Sequence, residues 1–372
     1  TGFTAQSYGA NDSTEISYSL YRSITIAIFA SLLILCLQGP IAKLSLIMLD
    51  GSDDVKNLAI TYFFVRIWAA PANMLLYCFN GWFIGMQNTK IPMTIAIIIN
   101  VLNIVFSIFF VVVMKQDVVG VALGTVIAQY CGLATALIFI FTKYKGYLIS
   151  INSHILLDIN KIKRFFKVNT DLMIRSILLV FTIAFFTNQS AKLGDNILSI
   201  NMILLQFFYI FSYFTDGFAY AGEALVGKFI GAKDFDSLRS LVIHLFKWGA
   251  YICVPFAILY AIFPTPFVKL ISPHPVIIEQ IQPYYIYMVL IPLITFAAFL
   301  WDGIYIGATA SKAIRNTMII SSILVFLPLW YVLVPIYNNH GLWIAFLGFM
   351  LARGISMTFF AKKHIIQLPN NQ

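Results

Sequence analysis

The stretch FNGWFIGMQNTK at 79–90 closes one long apolar run, and WDGIYIGATASK at 301–312 closes another. Each reads as an aromatic residue, then Asn or Asp, then Gly, three residues, a second Gly, and a Lys five residues later. Asn80 and Asp302 mark their spacing of 222 residues. At the same offset GAND at 9–12 returns as GAKD at 231–234, and Tyr62 as Tyr284. Pro71 and Pro292, and Gly120 and Gly341, miss it by one, as a single loop deletion produces. Markers in one order at one offset imply two homologous bundles in tandem.

Composition says what the bundles are made of. Apolar residues are 60% of the chain and charged residues 10%, with mean hydropathy +0.87, where soluble domains carry about 25% charge. So little charge cannot cover a water-facing surface. The chain reads as an all-α polytopic membrane protein made of two parallel-repeat helical bundles. Ten apolar runs reach the roughly 20 residues a crossing needs. They lie at about 18–47, 56–87, 91–114, 117–142, 165–189, 196–228, 236–263, 280–309, 313–336 and 339–363. The runs are continuously apolar rather than alternating, which excludes an outer-membrane barrel.

Orientation follows from the basic residues. With residues 1–17 cytoplasmic, the inner connections hold Lys90, the cluster from Lys143 to Lys167, Lys228, Lys233, Arg239, Lys312, Arg315, Lys362 and Lys363. The outer ones hold only Lys56, Lys115, Lys192 and Lys269. This obeys the positive-inside rule and puts the C-terminus in the cytoplasm. The net charge of +9 therefore reports topology; spread over five connections, it forms no nucleic-acid surface. Spans 2 and 8 both run outside to inside, so the repeats are parallel, related by an axis along the membrane normal. The domain reading is an N-lobe at 1–143, a cytoplasmic linker at 144–164, a C-lobe at 165–364 and a tail at 365–372. Spans 5 and 6 (165–228) call for partners 222 residues earlier, of which only the tail TGFTAQ is present. Twelve spans, six plus six, are expected of the intact protein.

Cys36, Cys78, Cys131 and Cys253 all sit within spans without metal-ligand spacing, and the five His are scattered. No catalytic residue, metal site or enzyme activity is read from them.

Charge inside the bilayer costs at least about 2.5–3.5 kcal/mol at mid-span, so each instance calls for a partner or a task. Asp216 lies in span 6, Glu223 follows two turns down the same face, and Asp302 is deep in span 8. They form either a buried network or carboxylates that exchange H⁺ or Na⁺ with changing environment. Asp171 opens span 5 with Arg175 at i+4, the spacing of a helix-surface ion pair. The first half has polar stripes without charge: Asn73 and Asn80 on span 2, Asn100, Asn103 and Ser107 on span 3, Thr125 and Gln129 on span 4. Clustered oxygen-bearing side chains suit a wet cavity or a small cation. Trp82, Met86, Tyr213 and Trp301 flank these positions and suit the wall of a site for bulky cations.

RIWAAPANMLLYCFNGWFIGMQNTKIP (66–92), NVLNIVFSIFFV (100–111), GVALGTVIAQYCGL (120–133), NTDLMIRS (169–176) and DGFAYAGEALVGKFIGAKD (216–234) resemble the multidrug and toxic compound extrusion (MATE) transporters, specifically the DinF-like branch. The resemblance runs from Thr1 to about Lys363. It implies two six-helix lobes and an antiporter in the bacterial inner membrane. Such a protein exports organic cations or toxic compounds by alternating access, with H⁺ or Na⁺ as coupling ion and no other cofactor. Carried over by motif, an N-lobe cation site uses Asn103, Thr125 and an acid four residues after Asn103. That acid is replaced here by Ser107. Asp302 matches a tenth-helix position that carries a cation-binding Asp in another branch of the family. The cargo is expected to be a cationic, amphipathic small molecule, and one chain is expected to suffice. The alternative is a lipid-linked oligosaccharide flippase of the same wider superfamily, which would place several Arg or Lys in its central cavity. Mid-span acids, with basic residues mostly at span ends, favour the antiporter. A membrane-embedded enzyme would need a His or Cys pair that is not visible.

Overall fold

A computed structural model describes residues 1–48, 52–150, 152, 156, 158–272, 274–361 and 365, and all regular structure among them is helical. The chain divides into two compact units, Phe3–Asp158 and the part from Ile159 onward. The first holds α1 (Gly2–Gly9), α2 (Ser13–Cys36), α3 (Gln38–Met48), α4 (Asp53–Arg66), α5 (Ala70–Gly85), α6 (Lys90–Ile108) and α7 (Asp117–Lys143). The second holds α8 (Ile159–Lys192), α9 (Asp195–Gly231), α10 (Phe235–Ile262), α11 (Pro264–Ile271), α12 (Pro275–Gln280), α13 (Tyr285–Gly307), α14 (Ser311–Ile319) and α15 (Leu327–Ala361).

Nine helical stretches among the described residues are long and apolar enough to cross a membrane. The last, Ser311–Ala361, is 51 residues, about 77 Å if straight, against a hydrocarbon core of about 30 Å. It is not straight. Asn338 breaks it with φ 48° and ψ −123°, and a Cβ on Gly341 would collide with the Leu333 carbonyl. Eight residues along a straight helix span about 12 Å, so the chain reverses at Asn338 and the nine stretches amount to ten candidate spans among the described residues. Phe29, Tyr77, Leu324 and Phe359 stand at least 65% exposed on the outside of their helices. A water-facing surface does not carry such a density of apolar side chains, whereas a lipid-facing one does.

The repeated phrases turn out to be the same turns. GAND and GAKD each follow a helix ending at Gly, and place Asn11 (φ 55°) or Lys233 (φ 57°) in the left-handed region. Each then caps the next helix with Asp: Asp12 accepts from the Glu15 N–H at 2.9 Å, Asp234 from the Ser237 N–H at 3.0 Å, which satisfies an otherwise orphaned donor. Gln87 (φ 61°) and Thr309 (φ 53°) end the two opening phrases alike. A Cβ on Gly85 would crowd the Thr1 carbonyl, and one on Gly307 the Glu223 carbonyl. Thr1 and Glu223 are again 222 residues apart. Within its unit α1 therefore holds the place that the end of α9 holds in the other.

Residues 144–150 pack with the first unit. Tyr144 and Tyr147 stack edge-on around Trp82, and the Tyr21 hydroxyl donates to the Ile149 carbonyl at 2.9 Å. Residues 159–164 already belong to α8. The core of the second unit is aromatic: Phe186, Phe208, Trp343, Phe346 and Phe349 are all buried. Inside it Asn201 and Asn339 exchange amide hydrogen bonds at 2.7 and 3.0 Å, and the Trp343 indole N–H donates to Asn201 Oδ1 at 2.8 Å. A satisfied polar network in an apolar core fixes one packing of α9 against the α15 turn.

Candidate ion- and substrate-binding cavity

A cavity of about 310 Å³ opens among α8, α9, α13 and α15 of the second unit. Its floor exists because Gly303 has no side chain: a Cβ there would collide with the Ala219 carbonyl, so α9 and α13 meet backbone to backbone. Ser212, Asp216, Ala219 and Glu223 line it from α9, one helical face at i, i+4, i+7 and i+11. Asp302 and Phe299 face it from α13, Arg175 from α8 and Arg353 from α15, with Phe208 and Tyr209 adding aromatic wall.

Asp302 is the hub. Both Arg175 Nη2 and Arg353 Nη2 donate to its Oδ2, the latter at 2.6 Å. Arg353 is 1% exposed; its Nη1 donates to Met350 Sδ at 3.3 Å, and its guanidinium lies 5.5 Å from the Phe349 ring centre. Asp302 Oδ1 and the Nε atoms of both arginines are buried without a hydrogen-bond partner among the described residues. Asp216, half-buried on the same wall, forms no hydrogen bond or ion pair within 4 Å there.

The ion pair expected between Asp171 and Arg175 does not form. Asp171 instead accepts from Arg315 Nη1 at 2.5 Å and from the Ser311 hydroxyl at 2.8 Å, both on α14. Arg175, one turn on, reaches Asp302. On a helix surface an i, i+4 pair is worth only about 0.2–0.5 kcal/mol, which partners buried between helices outweigh. Arg353 was missed altogether; its signal is a lone Arg deep in the last apolar run. With Arg175 it brings two basic side chains into the cavity, against the expectation that basic residues lie mostly at span ends.

Several cavity candidates are packing residues. Trp82 is buried in the core of the first unit, its indole N–H on the Ile16 carbonyl at 3.1 Å, with Met86 beside it. Trp301 is buried against α15, donating to the Thr358 hydroxyl at 2.7 Å. A buried indole takes a partner for its N–H, and here each finds one on a neighbouring helix, Trp82 on α2 and Trp301 on α15. Tyr213 is 72% exposed and lies outside the C-lobe cavity. In the first unit Asn103 Nδ2 donates to Thr125 Oγ1 at 2.8 Å, bringing two of the three N-lobe candidates together. Ser107 packs against Gly124, its hydroxyl buried without a hydrogen-bond partner among the described residues. Asn100 is exposed and turned back on the Ala96 carbonyl of its own helix. Asn73, Asn80 and Gln129 are half-buried, and Asn80 Oδ1 is buried without a hydrogen bond among the described residues.

Two units with matching turns and a charged cavity inside a membrane bundle agree with a family-level match. The model for MatE matches residues 1–109 and 172–332. The chain belongs to the MATE family. DNA damage-inducible protein F of Escherichia coli (strain K12) is 31% identical over 368 residues, 98% of this chain and 79% of that protein. Protein DETOXIFICATION 43 of Arabidopsis thaliana is 25% identical, covering 88% of this chain and 60% of that protein. Among solved structures the Vibrio cholerae MATE transporter VcmN in its bent form superposes with a TM-score of 0.85 at 16% identity, over 98% of this chain and 82% of that one. A MATE in the straight conformation gives 0.84 at 18%, over 97% and 82%. These structures share the fold. As a MATE protein the chain is an integral membrane transporter of small molecules, seated in a lipid bilayer.

Proposed function

We propose that this MATE transporter exports organic cations or other toxic compounds in exchange for H⁺ or Na⁺, by alternating access, with Asp216 carrying the exchangeable charge. The observation behind this is the company the carboxylates keep. Asp302 has two guanidinium partners on one oxygen, so its charge is already engaged. Asp216 faces the same cavity without an ion pair among the described residues, and Glu223 lies one step further along. A carboxylate exposed to a cavity can take a proton, a sodium ion or a cargo cation, and these compete for one charge. Loading of the ion releases the cargo outward. Aromatic wall at Phe208, Tyr209 and Phe299 suits a flat cationic body. In this reading the protein resides in a bacterial inner membrane with its C-terminus in the cytoplasm and works as one chain; Asn103, Thr125 and Ser107 form a second polar point in the N-lobe.

The flippase alternative has one observation in its favour, since Arg175 and Arg353 do line the cavity. Both, however, are bound to Asp302, and the carboxylates outnumber them, which disfavours an anionic cargo.

The test is dye-cation export in sealed vesicles with a pH gradient or a sodium gradient imposed separately. Either gradient should drive export by the wild-type protein. Asp216→Asn should lose gradient-driven export while inserting normally; full export by that variant sinks the assignment. No export under both gradients would turn the reading toward the flippase.

A further inference from the structure

We infer that Arg175 is a tethered cation that competes with cargo and coupling ion for Asp216. It rests on Asp302 while a cation occupies Asp216, and crosses the cavity to Asp216 when that cation leaves. This rests on the antiporter reading above and names the group within the site that drives release.

The two arginines on Asp302 are held differently, although both donate to the same oxygen, Oδ2. Arg353 is a fixed partner: it is 1% exposed, and its guanidinium also meets the Met350 sulfur and the Phe349 ring. Arg175 keeps 18% of its side chain exposed on the cavity wall. Asp302 is its one hydrogen-bond and ion-pair partner among the described residues. Its Nε is buried without a hydrogen bond there, whereas a buried network kept for structure alone has its members satisfied. The helix beneath Arg175 is itself anchored, because Asp171 one turn earlier is tied to Arg315 and Ser311. What is free to change partner is the side chain.

Asp216 is the carboxylate it can turn to. It lines the same cavity from α9 without an ion pair among the described residues, and the charge of Arg175 acts on it. A lone carboxylate within a membrane span is unfavourable, and two guanidiniums on one oxygen repel each other. With Arg175 on Asp302, one carboxylate has two partners and the other has none. With Arg175 on Asp216, each carboxylate has one partner and the guanidiniums are parted. The second arrangement is favoured until a cargo cation, Na⁺ or a proton reaches Asp216 and takes the place of Arg175, which has Asp302 to return to. The structure shows Arg175 at Asp302, the arrangement that leaves Asp216 open to a cation. The exchange also changes which helix Arg175 ties α8 to, α13 or α9, so the occupancy of Asp216 is passed to α8.

The experiment uses the full chain in lipid and one probe, the aromatic monocation 1-methyl-4-phenylpyridinium. Structures of the wild type are determined by electron cryomicroscopy in sodium-free buffer, without the probe and saturated with it. The Arg175 guanidinium should lie on Asp216 in the first and on Asp302 in the second. Binding and transport give a second reading. Apparent affinity is the intrinsic affinity scaled by the fraction of time the site is open. Arg175→Gln removes the competitor and should bind the probe about tenfold tighter, as for a site open about a tenth of the time. Its maximal transport rate in proteoliposomes should fall by a similar factor, because release loses its driving group. A residue that only braced the fold would not tighten binding. Arg175→Lys keeps a movable charge and should stay near the wild type in both. Arg175 anywhere but on Asp216 in the probe-free structure, with the probe bound in the other, overturns the exchange and leaves the antiporter standing. Unchanged or weaker binding by folded Arg175→Gln does the same, and if that variant fails to fold the two wild-type structures still decide. A wild type that neither binds nor transports the probe overturns both readings.

Discussion

Asp171 and Arg175 are one helical turn apart on α8, and each ignores the other for a partner on a different helix. Asp171 is buried between Arg315 and Ser311 of α14, so it ties the start of that helix to α8. Removing one member of a buried pair strands the other. Arg315 keeps part of its side chain exposed, which lets water take over some of the loss. Asp171→Ala is therefore expected to cost about 2 kcal/mol, read as a lower melting temperature in detergent. Asp171→Asn should lose less, because its amide oxygen still accepts from Arg315 while its amide nitrogen can donate to the Ser311 hydroxyl. Equal losses for the two variants would count against the hydrogen bonds and leave the lost charge as the cause. The charge of Asp171 was legible in the sequence as one needing a partner; the partner's identity was not, since Arg315 lies 144 positions away.

At the scale of helices, the phrase shared by 79–90 and 301–312 acts through its glycines. On α13 Gly303 and Gly307 let α9 approach until backbone touches backbone, which sets the depth of the cavity floor. A methyl group at Gly303 has no flexible side chain to push aside, only the Ala219 carbonyl. Gly303→Ala is thus expected to destabilise by about 3 kcal/mol, seen as loss of monodisperse protein on size exclusion and a lower melting temperature. Gly217, on the same helix pair, has open space where its Cβ would go, and Gly217→Ala should be neutral to slightly stabilising. If the two behave alike, close approach of α9 and α13 is not what the glycines serve. The spacing of these glycines was readable along the chain, but the surface they open onto was not. The same holds for Trp82 and Trp301, which read as cavity wall and are core, because a residue one or two positions from a polar one lies about 100–200° around the helix from it.

For the molecule as a whole, topology is the property that charge and hydropathy fix together. With the native cysteines replaced by Ser, a membrane-impermeant maleimide applied to intact cells should label Lys192→Cys, in the connection between α8 and α9, and not Lys233→Cys, in the connection between α9 and α10. The reverse pattern would invert the protein and with it the direction assigned to transport. The tandem repeat and the long apolar runs were determined by the sequence itself, which also sets the expectation that the basic connections face inward. Each depends on quantities that add up locally: about 20 apolar residues to span a bilayer, a lysine or arginine on the side where it is retained, a turn phrase written twice. Only the tertiary structure decided which charges meet. Arg175 is 127 positions from Asp302 and Arg353 is 51, and no periodicity along one helix encodes a pairing between helices. A buried charge must find its counter-charge wherever the packing brings one near, because leaving it alone in low dielectric costs more than any local pairing returns. That requirement made a hub of Asp302 and left Asp216 facing the cavity.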